Sequence, residues 1–237
     1  SATTIDTNAT NTTGDITIAA ITGGSNNLTL STGDNIANSD ITASGAISGL
    51  GNLTLADVGG TATFSNNVAA AALSADNTVA NITFTGSANT FSGAASFAND
   101  GTLTLGNAAG DSFAFNGGVT ESTTGTVTLA SAISSSNDAI SFGAVTLGAN
   151  TSIDTNATNT TGDITIGAIT GGSNTLTLTT ENNVTGSDVT ASGNITGVTT
   201  LTLASIGGTA TLSGDVDVTT LTVGNTVANI RFNGGTN

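Results

Sequence analysis

Residues 16–30 read ITIAAITGGSNNLTL. Two triplets, Ile16-Thr17-Ile18 and Leu28-Thr29-Leu30, each set a threonine between two aliphatic residues. Side chains two apart share one face of a strand, so each triplet turns two apolar groups inward and one hydroxyl outward. Between them, Gly23-Gly24-Ser25-Asn26 supplies residues that tolerate positive φ or bond to their own backbone, as a sharp corner demands. The stretch is expected to form short, half-buried strands separated by turns.

The same unit recurs as Leu53-Thr54-Leu55, Ile82-Thr83-Phe84, Leu103-Thr104-Leu105, Val127-Thr128-Leu129 and Val145-Thr146-Leu147. It continues as Ile164-Thr165-Ile166, Leu176-Thr177-Leu178, Leu201-Thr202-Leu203, Leu221-Thr222-Val223 and Ile230-Arg231-Phe232. No 3.6-residue amphipathic pattern is sustained, and the Thr, Gly and Asn content disfavours helix. An antiparallel sandwich would show longer alternating strands of ~5–6 residues with hairpin signals. The triplet spacing instead fits an all-β fold, a right-handed parallel β-solenoid (β-helix) with coils of roughly 20 residues and two or three strands per coil. About a dozen such coils, stacked at ~4.8 Å, make a rod on the order of 55 Å long. Ladders of Ile, Leu, Val and Ala fill its interior, with Phe84, Phe91, Phe97, Phe113, Phe115 and Phe142 forming an aromatic stretch of core.

Ser1 to Asn89 aligns without a gap to Ala149 to Asn237, with 56 of 89 positions identical. Residues 1–148 are read as the first repeat unit of a continuous solenoid and 149–237 as a partial second unit, a piece of a tandem array.

The chain contains no His, Cys, Met, Trp, Tyr or Pro, and Arg231 is its one basic side chain. Most catalytic side-chain chemistry, disulfides and thiolate metal sites are thereby excluded, as are Lys–Asn isopeptide bonds. The formal charge is −15 from scattered acids, with no basic stripe and no stacking aromatic platform, so nucleic acid is not a partner. Hydrophobic content of 37% and regular β-branched triplets argue against disorder. The longest apolar run, Val68 to Leu73, is far short of the ~20 residues a spanning helix needs, and the alternating stretches are too short for barrel strands. No membrane insertion by this segment is expected. The first residues lack a signal-peptide pattern, which places any targeting signal or anchor elsewhere.

Candidate chemistry is sparse. Asp215-Val216-Asp217 sets two carboxylates on one strand face, the spacing used in carbohydrate-cleaving β-helices and some calcium sites, but nothing nearby completes such a site. The aligned first-copy residues are Asn67 and Ala69, so a solvated face is preferred. Asp6 and Asp154, Asp15 and Asp163, and Asp40 and Asp188 recur between copies. Turn carboxylates can bind calcium, yet no calcium-binding motif is present and Asx-turns at corners are the favoured reading. No catalytic, cofactor-binding or metal residue is therefore assigned, and the chain is read as not an enzyme. Threonine pairs such as Thr102/Thr104 and Thr209/Thr211 raise ice binding; uneven coil spacing and a single outward threonine per triplet favour β-propensity instead. Sequons at Asn8, Asn11, Asn27, Asn52, Asn81, Asn150, Asn156, Asn159, Asn183 and Asn194 follow from composition, and corner asparagines are expected to stack as amide ladders. Arg231 takes an outward, solvent-exposed slot.

The Leu-Thr-Leu triplets, Gly101 to Gly106 (GTLTLG), the NTVANI of Asn77 to Ile82 and Asn225 to Ile230, and the Thr/Asn/Gly/Ala bias resemble large bacterial surface proteins. The likeness is to β-strand-repeat passenger segments of autotransporter and filamentous-haemagglutinin-type adhesins, including rickettsial surface antigens. It implies an extracellular or cell-surface stalk, adhesin rod or filament, with self-association or tandem copies end to end and a ligand on a host or neighbouring cell. A surface-layer or matrix-fibre subunit, and an ice-binding or polysaccharide-acting β-helix, stand as alternatives.

Overall fold

The computed structural model describes residues 1–33, 36–181 and 183–236; Asp34, Asn35, Asn182 and Asn237, which fall within the two repeat units, lie outside them. The described residues form strands, turns and loops with no helix. All their strand pairings are parallel, and each joins one coil to the next. The chain is a parallel β-solenoid with three strands to the coil and coils of about 21 residues.

The pairings sort into three columns. The first stacks Thr3–Asp6, Leu28–Ser31, residues 53–55 and 73–75, Ala95–Phe97, Val119–Glu121, Ile140–Phe142, Ile164–Ile166, Val189–Ala191, and residues 210–212 and 230–232. The second stacks Ile16–Ile18, Ile41–Ala43, residues 62–64 and 82–84, Leu103–Leu105, Val127–Leu129, Val145–Leu147, Ile169–Thr170, and residues 195–196 and 216–217. The third begins with Ile21–Thr22 and runs through residues 47–48 and 68–70, Ala88–Phe91, Ser112–Phe115, Ala132–Ser134, Thr151–Asp154, Thr175–Thr179, and residues 200–203 and 220–223. Eleven layers in the first column give a rod of ~50 Å at the inter-strand spacing.

The triplets do what their pattern requires. In Leu103-Thr104-Leu105 both leucines are fully buried while the threonine is half-exposed, and Ile164-Thr165-Ile166 repeats the arrangement. Coil length varies from 18 residues between Val127 and Val145 to 26 between Ile169 and Ile195, yet the Thr-centred triplets stay in register, and the register shifts fall outside them. The extra residues are spent at corners. There the coils approach so closely that a Cβ on Gly214 would lie 2.4 Å from the Gly193 carbonyl carbon, and one on Gly234 would lie 2.3 Å from the Gly214 oxygen. A side chain at either position would displace backbone.

All six phenylalanines expected in the core are buried. Phe84 of the second column stacks on Phe64 at 4.6 Å and meets Phe91, Phe97 and Phe113 edge-on at 6.4, 6.4 and 5.9 Å, so rings from all three columns converge. Offset-stacked and edge-to-face pairs of this kind add to the stabilisation from burial alone.

Candidate functional site

The longest loops belong to the repeat itself. Residues 7–15 bulge at the corner between the first and second columns, and the described residues 32, 33 and 36–40 lie one coil above at the same corner. Thr7 Oγ1 donates to the Gly14 carbonyl (2.7 Å) and Thr32 Oγ1 to the Ser39 carbonyl (3.1 Å), closing each loop across its neck. The Gly14 N–H donates to Ser39 Oγ (3.2 Å), tying one loop to the next. The second copy builds the same pair with Thr155 to Gly162 (2.8 Å), Thr180 to Ser187 (3.2 Å) and Gly162 to Ser187 Oγ (3.2 Å). Thr155, Thr180 and Ser187 are fully buried, so these hydroxyls are internal staples; no buried side-chain polar atom of the described residues lacks a partner.

Each pair of stacked loops is a ridge with exposed tips at Thr10–Thr13 and Thr158–Thr161. Its base is the longest uninterrupted identity between the copies, Ile5–Ile18 against Ile153–Ile166. That run was the available signal for the ridge, whereas no local motif announced it. The backbone repeats too: Asn8 and Asn156 take φ of 50° and 47°, Ser25 and Ser173 take 63° and 68°.

The recurring acids divide into two roles. Asp6 and Asp154 accept the N–H groups of Asn8 (2.7 Å) and Asn156 (2.8 Å), the expected Asx-turns. Asp15, Asp40, Asp163 and Asp188 depart from that expectation: their Oδ1 atoms accept backbone N–H groups one coil further on, from Asp40 (3.0 Å), Thr61 (2.7 Å), Asp188 (2.9 Å) and Thr209 (2.6 Å). Asparagines do the same, Asn27 to Asn52 (2.9 Å), Asn81 to Thr102 (2.9 Å), Asn150 to Thr175 (3.0 Å) and Asn194 to Asp215 (3.0 Å). The corner asparagines thus form side-chain-to-backbone ladders in place of the expected amide stacks, because the parallel coil above offers an N–H directly over each corner. The role needs one acceptor oxygen, which Asp and Asn both supply.

Asp215 takes part in this ladder by accepting the Thr236 N–H (3.0 Å), while Asp217 is exposed in the outward slot beside Thr196. The structure brings no third acid to them, and no group of three or more acidic, His or Cys side chains among the described residues is placed to hold a metal ion. Arg231 is exposed beside Thr211. Glu121 is the surprise: it fills an inward slot of Val119-Thr120-Glu121 and is 6% exposed. Its Oε2 accepts the Gly143 N–H (2.8 Å) and its Oε1 accepts the Thr123 N–H, so the carboxylate clips two coils together. Asp154, half-buried in the third column, has its pKa raised by burial, opposed by the Asn156 hydrogen bond.

Outward residues make rows of hydroxyls. The second column shows Thr17, Thr42, Thr63, Thr83, Thr104, Thr128, Thr146, Thr170 and Thr196 in successive coils. Uneven coil length, expected to spoil such a lattice, does not, since corners absorb it. Both ends of the rod carry shallow hollows, one of mixed polarity lined by Ile5, Ile21, Leu28 and Leu50 together with Ser1, Asn26 and Asn27, and an apolar one lined by Val216, Val218, Leu221 and Phe232. The fold and these surfaces define a solenoid repeat segment. No known protein family, curated protein or solved structure matches the chain.

Proposed function

We propose that the chain is a non-catalytic structural repeat segment of a bacterial surface protein, forming an extracellular stalk, adhesin rod or filament by coil-on-coil stacking. The observation that carries this reading is the continuity of the sheets through the junction of the two copies. Val127, Val145 and Ile169 follow one another in the second column, and Ile133, Ile153 and Leu178 in the third. A sheet that crosses a repeat boundary without a break has no stopping point built into the repeat. The corner acids are engaged with backbone N–H groups, which supports a structural role over an acid pair for polysaccharide cleavage. The test is electron microscopy of purified arrays of two, three and four copies. Rods should lengthen by about 32 Å per copy, six and two-thirds coils at ~4.8 Å; particles of constant length overturn the reading. Labelling of intact cells with an antibody to the ridge tests the surface placement, and smooth fibres from single chains would favour the matrix-fibre form.

The row of nine threonines favours a second reading, binding of ice or ordered water. The neighbouring row is mixed, with Asp15, Asp40, Thr61 and Asn81, which ranks it lower. Thermal hysteresis of the purified chain that disappears in Thr104→Lys would raise it to first place.

A further inference from the structure

We propose that the N-terminal end of the rod is a docking face whose occupant is a further copy of the coil at residues 130–148, and that this junction turns each successive repeat by one column about the rod axis. The inference rests on the reading of the chain as a tandem rod and fixes how its copies are joined.

The turn is seen within the chain. Six stacking steps lead up the second column from Ile16 through Ile41, Ala62, Ile82, Leu103 and Val127 to Val145. Two further strands, Thr151–Asp154 in the third column and Ile164–Ile166 in the first, lead on to Ile164, the counterpart of Ile16. The repeat therefore spans six coils and two strands, not a whole number of coils. Counterparts change column together: Leu28-Thr29-Leu30 is in the first and Leu176-Thr177-Leu178 in the third, while Ile21 is in the third and Ile169 in the second. The ridge moves with them, from the corner between the first and second columns to the corner between the third and first.

The docking face repeats an interface already formed in the middle of the rod. Ile153, Ile164 and Ile169 are covered from below by Ile133, Ile140 and Val145, and are buried to 0, 0 and 1% exposure. The carbonyls of Asp154, Thr155, Asp163 and Ala168 accept N–H groups of Ser135, Asn137, Ile140 and Val145 in that lower coil. The first copy presents the same residues, Ile5, Ile16 and Ile21 with the carbonyls of Asp6, Thr7, Asp15 and Ala20, and none of the described residues covers them from below. Ile5 and Ile21 are only partly buried there. Over residues 3–22 this face differs from the one that binds the 130–148 coil only by Thr4 for Ser152 and Ala19 for Gly167. Its isoleucines and carbonyls are therefore complementary to that coil, while the Ala19 methyl requires a local shift, since a Cβ on Gly167 would lie 2.7 Å from the Gly143 carbonyl carbon. Three copies then restore the starting orientation after twenty coils, so a partner lying along one side of the rod meets the ridge at every third copy.

The test fuses a complete further copy of residues 1–148 ahead of Ser1, reproducing the junction at which Gly148 meets the next copy. The chain has no cysteine, so pyrene-maleimide labels only introduced ones. Ser141 pairs with Thr165 inside the chain, which makes Ser141→Cys with Thr165→Cys the positive control for excimer emission. The turned junction predicts excimer emission from Ser141→Cys in the added copy with Thr17→Cys in the original, and monomer emission from Thr146→Cys with Thr17→Cys. Excimer from the second pair, or from neither while the control gives it, overturns the inference. Rods that lengthen in micrographs while the first pair stays monomeric would leave the proposed function standing and this junction refuted.

Discussion

Residues 3–26 and 151–174 are nearly the same sequence in two settings, the first at an end of the rod and the second in its middle. Ile153, Thr155 and Ala157 are fully buried, whereas Ile5 is partly exposed, Thr7 is exposed and Ala9 keeps 8% exposure. The turns keep the same φ values and the loop necks the same hydrogen bonds in both. Local sequence thus fixes the strand, the corner and the staple, while the coil below fixes how much stability each inward side chain contributes.

The largest effect should come where that difference is greatest. Phe84 and Phe232 are counterparts, one fully buried amid four rings and the other 41% exposed at the far end. Phe84→Ala should cost ~3–5 kcal/mol in urea unfolding, and Phe113→Ala, equally buried, about as much. Phe232→Ala should cost about 1 kcal/mol or less. Equal losses at Phe84 and Phe232 would show that the end coil is covered in solution. One step down, Ile153→Ala should cost ~2–4 kcal/mol against about 1 for Ile5→Ala. In the fused array with an added copy ahead of Ser1, the two costs should converge.

Much of this was legible in the sequence because an inward pair and an outward hydroxyl need only three residues. Leu103-Thr104-Leu105 announces its strand, its faces and its burial. Ser112-Phe113-Ala114-Phe115 and Ala132-Ile133-Ser134 do so less clearly, since small residues in the outer slots weaken the alternation, and this is why the third strand of each coil stayed open. The turn by one column was hidden for a related reason. Thr-centred triplets occur in all three columns, Leu28-Thr29-Leu30 in the first, Leu103-Thr104-Leu105 in the second and Leu176-Thr177-Leu178 in the third, so the triplet does not report which side of the rod it faces, and coils of 18 to 26 residues mask the count. A repeat that changes column at each copy also requires triplets able to serve in any column. The ridge and the Glu121 clip depend on which loops and strands stack, a long-range property that no local motif marks.

A smaller effect separates the two kinds of acid. Asp188→Ala removes the acceptor for the Thr209 N–H and should cost about 1–2 kcal/mol, while Asp188→Asn keeps an acceptor oxygen and should stay within ~0.5 kcal/mol of the parent. Calcium should shift neither melting curve. A calcium-dependent gain in the parent that Asp188→Asn abolishes would assign the corner to a metal instead.

The smallest effect is a pH dependence at Asp154. Burial raises the pKa of Asp154, so the fold tolerates its protonated form better than its charged form. The sign follows from linkage: a group whose pKa is higher in the folded than in the unfolded state binds its proton more tightly when folded. Its stabilising contribution is complete below the ordinary carboxylate range and is lost as pH rises through the raised value. Half-exposure and solvent screening keep this contribution small. Asp154→Asn removes the titration but keeps an oxygen for the Asn156 N–H. The parent should therefore lose stability relative to Asp154→Asn as pH is raised from about 3 to 6 in parallel urea titrations. A parent that gains on Asp154→Asn over the same interval would mean that the Asn156 hydrogen bond outweighs burial, and that the middle of the rod is wetter at this corner than its packing implies.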